Sequence, residues 1–92
     1  MAEAMPTISE FYGMTVMMFY EDHDPPHFHV RHADFKAKFA IADLSVLSSS
    51  GNVAGRDIVR IRTWTRANQT ALLENWFRCQ RGEPLQKIEG LK

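Results

Sequence analysis

Cysteine is almost missing from this chain of 92 residues, and Cys79 alone can make no internal disulfide. It falls in a helical pattern beside Trp76 and reads as a small core residue before it reads as a catalytic thiol. No apolar run reaches the roughly eighteen residues that cross a bilayer. The opening "MAEAMPTISEFYG" also lacks the basic start and apolar stretch of a secretory signal. These absences lead us to expect a cytoplasmic protein with no membrane partner. Repeats, low-complexity tracts and linkers are missing too, so residues 1–92 are expected to form one domain, with 1–6 a flexible N-terminal extension.

Lysine and arginine are absent from residues 1–24, which hold five acids, whereas 25–92 hold eleven bases against six acids. The body of the domain is therefore locally basic although the formal net charge is +0. That surplus suits an anionic partner such as nucleic acid, yet it is well short of the footprint of a dedicated DNA binder. What the chain does have is apolar residues, 45% of the total with ten aromatics, enough for a folded core and for self-association as a small homo-oligomer.

The spacing predicts strands first and helices after them. Residues 14–20, "MTVMMFY", read as a largely buried strand, and a short strand over Ile8 to Tyr12, ended by Gly13, is expected to pair with it. Residues 27–32 alternate, with His27, His29 and Arg31 on one side and Phe28, Val30 and His32 on the other. Residues 35–41 also alternate, with Phe35, Ala37, Phe39 and Ile41 opposite Lys36 and Lys38, and "HAD" between the two stretches fits a hairpin turn. "SSSGNVAG" at 48–55 reads as a loop offering Ser50 and Asn52 as helix N-caps.

Beyond it, Ala54, Ile58, Ile61 and Thr65 form an apolar stripe that resumes at Leu72, Trp76 and Cys79, with Arg56 and Arg60 opposite and Trp64 on the flank. One straight helix over 53–81 would run roughly 43 Å, so a break near "RANQT" with Asn68 as second N-cap is expected. Gly82 and Pro84 then stop the helix. The fold class is α+β: a three- to four-stranded antiparallel sheet followed by two C-terminal helices packed on one face.

All four histidines fall within "EDHDPPHFHVRH", residues 21–32. On the uncovered sheet face, His27 and His29 could converge on one ion. His23, Asp22 and Asp24 from the proline-stiffened connection would complete a set of nitrogen and oxygen ligands suited to zinc or another divalent metal. A second reading makes His27 and His29 proton carriers on a phosphodiester, assisted by Arg31, with Lys36 and Lys38 binding phosphate. A third makes the stretch structural, setting strand register in a protein-binding module. Met14, Met17 and Met18 read as adaptable packing.

Four segments carry a family resemblance: Met5 to Ile8, Asp22 to His29, Leu72 to Trp76 ("LLENW"), and Gly82 to Pro84. Together they resemble small bacterial proteins of domain-of-unknown-function family 4160, whose members share the Pro-Pro-His-Phe-His segment. The resemblance implies a compact component of a toxin-antitoxin-like pair, with a small antitoxin-like protein partner, acting on or regulating nucleic acid. It falls on His23, Pro25, Pro26, His27, Phe28 and His29, and it implies no cofactor or reaction.

Overall fold

Alternating apolar residues and tight turns build a meander. The computed structural model describes residues 5–92. Five strands, β1 (Thr7–Phe11), β2 (Met14–Met17), β3 (His27–Arg31), β4 (Phe35–Ala40) and β5 (Val46–Gly51), form one antiparallel sheet in the order β1-β2-β3-β4-β5. Two helices follow, α1 (Gly55–Ala67) and α2 (Gln69–Gln80). The class is α+β as expected, with five strands in place of three to four.

The additional strand is β5, whose "VLSSSG" was expected to be mostly loop. All six of its residues are exposed, so it carries no alternation to betray it. It forms because its backbone completes the ladder of β4, from Phe35 opposite Gly51 to Phe39 opposite Val46. Ser50 is thus a strand residue, and α1 begins after Ala54 with no side-chain cap from Ser50 or Asn52.

The hairpin from β1 to β2 turns on Tyr12 and Gly13, both at positive φ (50° and 75°), the arrangement whose twist matches two flanking strands. The predicted strand over 14–20 ends at Met17. Residues 18–26 form the connection to β3, and this shortening frees Asp22 to fold back over the sheet.

Phe28, Val30, Phe35, Ala37 and Phe39 face the helices, with Phe28 and Phe39 stacked across the β3–β4 ladder at 5.9 Å. Trp64 from α1 meets the Phe28 ring edge-on, at 5.8 Å and 83°. It is buried to 1% exposure, packed from the helix flank where its angular position predicts it. The reason is the C-terminal tail. Leu85, Ile88 and Leu91 pack on the core, the Trp64 indole N–H donates to the Glu89 carbonyl, and the Ile88 N–H donates to the Ile8 carbonyl at 2.7 Å.

Buried Asn75 holds the same tail from α2, donating to the Gln86 carbonyl and accepting from the Gln86 N–H. The helical region breaks at Asn68 as predicted, which fits overall extents of 34 × 24 × 23 Å. Asn68 makes no side-chain cap; its amide donates to the Trp64 carbonyl. Gly82, at φ 67°, closes α2: its N–H bonds the Cys79 carbonyl and the Glu83 N–H bonds that of Arg78.

Residues 1–4 of the expected extension lie outside the described residues, and the Pro6 carbonyl accepts from the Met18 N–H. No helix among the described residues is long and apolar enough to cross a membrane.

Candidate metal centre and basic groove

Alternation along β3 sends His27 and His29 to the side away from Phe28 and Val30, and the 18–26 connection brings Asp22 down between them. Asp22 Oδ2 lies 2.9 Å from His29 Nε2 and 3.0 Å from His27 Nε2, and the three ligand-type atoms lie within 4.8 Å of one another. The connection is pinned from several sides. The His23 N–H donates to Asp22 Oδ1, Gln80 on α2 donates to the Asp22 carbonyl, and the Tyr20 hydroxyl donates to the Glu83 carbonyl.

The expectation that both imidazoles face solvent fails for His27, which is 5% exposed. Strand β3 starts beneath α2, and the Trp76 ring lies 5.3 Å from the His27 ring. His29 is half-buried, stacked on Phe19 at 4.0 Å. Arg31 is exposed.

Hydrogen bonding fixes the tautomer of His27. Its Nδ1 lies 2.7 Å from the Pro25 carbonyl, which can only accept, so Nδ1 carries the proton and Nε2 of the neutral ring is a bare lone pair. That Nε2 is buried and has no hydrogen-bond partner. Its approach to Asp22 Oδ2 has the distance of a hydrogen bond but not the alignment. A lone pair is therefore aimed beside a carboxylate, in a place with little water.

Burial works against the charge on Asp22, but the His29 and His23 hydrogen bonds and the adjacent His27 and His29 rings outweigh it and hold the carboxyl below its usual range. Burial pushes His29 the same way, below the ordinary imidazole value. The opposing pull of Asp22 does not cancel it, and His27 and Lys38 add to the lowering. A carboxylate and a neutral imidazole at neutral pH are the protonation states a metal requires. Cys79, buried nearby, is pushed up to about 11 by desolvation and by the Asp22 charge, so it remains a thiol.

Of the five predicted ligands, Asp22, His27 and His29 come together. His23 and Asp24 do not join that cluster and their residues are exposed to solvent. Arg31, Lys36 and Lys38 are assembled elsewhere on the same face, lining a groove of about 320 Å³ that has His29 and Phe19 in its wall and Ser48 to Ser50 along its β5 edge. Phe19 and the serines are contributors that the sequence reading misses. Phe19 continues the Met17 alternation past the end of β2, which is the signal that would have found it.

Residues 13–77, more than half of the chain, match the family described as a domain of unknown function (DUF4160). The chain belongs to that family. The matched DUF4160 region runs from the β1–β2 turn into α2 and contains Asp22, His27, His29, Arg31, Lys36 and Lys38; all of β1 and the tail lie outside it. No curated protein and no solved structure matches the chain.

Proposed function

We propose that Asp22, His27 and His29 form a divalent transition-metal centre, zinc being the ion best suited to two imidazole nitrogens and one carboxylate oxygen. The observation that carries this reading is the buried, unpartnered Nε2 of His27, its ring locked by the Nδ1–H bond to Pro25 and aimed beside Asp22. A backbone carbonyl behind an imidazole is the outer support that metal-ligating histidines use. A bound ion would take the place of the proton that His29 Nε2 shares with Asp22, and the neutral ring would carry that proton on Nδ1 instead.

Three protein ligands leave a coordination position for water or substrate, and such an ion supplies Lewis acidity and a water that ionises near neutral pH. Protein purified without chelator is expected to hold close to one equivalent of zinc by elemental analysis, and Asp22→Asn, which preserves shape, to lose it. Parent protein that neither retains nor rebinds zinc overturns the centre.

Metal-free acid–base chemistry by His27 and His29 has less support, because Asp22 stands against both Nε2 atoms. On the family resemblance we assign the centre a role in a toxin-antitoxin-like pair, with a small antitoxin-like partner and nucleic acid as target. Expression of the parent is then expected to arrest growth, and the His27→Ala, His29→Ala double variant to be silent while folded.

A further inference from the structure

The outer face of the sheet carries an arrangement that folding alone does not favour. Arg31 on β3 and Lys36 on β4 are direct cross-strand partners. Like charges placed opposite each other on an antiparallel pair destabilise it. In the next row Lys38 stands opposite His29. Among the described residues none of Arg31, Lys36 and Lys38 forms an ion pair, although carboxylates elsewhere pair readily, as Glu83 does with Arg81 and Asp57 with Arg60.

These cations share the groove of about 320 Å³, and its contents select a ligand. Lys36 and Lys38 project from one side of β4 about 6.7 Å apart along the strand, a spacing comparable to that of consecutive phosphates on an extended polynucleotide. Ser48 and Ser50 stand opposite Lys38 and Lys36 on the edge strand, where their hydroxyls can donate to phosphate oxygens. Half-buried Phe19, held against His29, lines the same groove and offers an aromatic surface for an unstacked base.

We propose that this groove binds single-stranded nucleic acid. One phosphate bridges Arg31 and Lys36 and relieves their repulsion, the next lies against Lys38, and a base packs on Phe19. His29 belongs both to the groove wall and to the metal centre, so the strand is held beside that centre; naming its substrate class in this way rests on the metal reading, whereas binding itself does not.

The test is fluorescence anisotropy with labelled single-stranded RNA and DNA of about ten nucleotides and the corresponding duplex, at about 50 mM salt and above. Zinc-loaded and chelator-treated protein are run side by side, with zinc content measured on every sample. Single strands are expected to bind more tightly than duplex, with a log–log salt slope of about −1.4 for two phosphate contacts. The Arg31→Gln, Lys36→Gln double variant is expected to weaken binding at least about tenfold and flatten that slope, with zinc content held and thermal melting not lowered. Phe19→Leu weakens it about fivefold or more, while Lys92→Gln, a surface cation remote from the groove, leaves it unchanged.

No binding of single strands, duplex binding as tight as theirs, equal affinity in the double variant, or an acidic peptide displacing the strand at equal concentration overturns the proposal. Zinc retained without strand binding removes the groove proposal alone. Strand binding that depends on Lys36 in a protein that holds no zinc removes the metal reading and leaves the groove.

Discussion

The two sides of the β3–β4 ladder obey opposite rules. Toward the helices, Phe28 faces Phe39 and Val30 faces Ala37, each pair buried and mutually favourable. On the other side, Arg31 faces Lys36, a pair of like charge, and Lys38 faces His29, which neighbours a buried imidazole with an unpartnered lone pair. The same backbone register generates both sets. A sheet secured on one side by aromatic packing can carry unfavourable pairs on the other, and groups retained there against stability are the ones to examine for function.

The contrast is broken most severely from within. Phe28→Ala removes a wholly buried ring that touches Phe39 and Trp64, and a loss of about 3–5 kcal/mol is expected by urea denaturation. Acid is the next lever. Below the ordinary imidazole value of 6.5 the unfolded chain takes up a proton that buried His29 resists, so unfolding becomes easier as pH falls until the folded ring also protonates.

Asp22 acts in the same direction: its contribution is full above 3.8 and is lost as pH falls through its depressed folded value. The urea midpoint of metal-free protein is therefore expected to decline from pH 7 toward pH 4, and less steeply in His29→Gln; an identical decline in that variant would assign the effect to other groups. The smallest change sharpens the comparison most. Lys36→Thr removes one member of the opposed cations and should raise stability by about 0.2–1 kcal/mol, where truncation at a well-paired position would lower it.

Much of this contrast is legible in the sequence, because a period of two in "HFHVRH" and "FKAKFA" assigns faces without knowledge of the fold. Burial is less legible than facing. His27 occupies the predicted side, but only the path of α2 puts Trp76 beside it. The convergence of Asp22 on both rings depends on how residues 18–26 fold back, a distance that no periodicity encodes, so neighbouring His23 and Asp24 looked equally eligible. Strand β5 is illegible because polar residues exposed throughout carry no pattern, and the cover over Trp64 is illegible because the tail that provides it has no regular structure to read.

That tail gives the family boundary a practical meaning. The segment that matches the family stops at residue 77, before Ile88 reaches Ile8 and before Glu89 receives the Trp64 indole, so strand β1 and the tail meet outside it. Trimming the polypeptide to that segment would uncover β2 as a raw sheet edge and bare a tryptophan, two openings for self-templated aggregation.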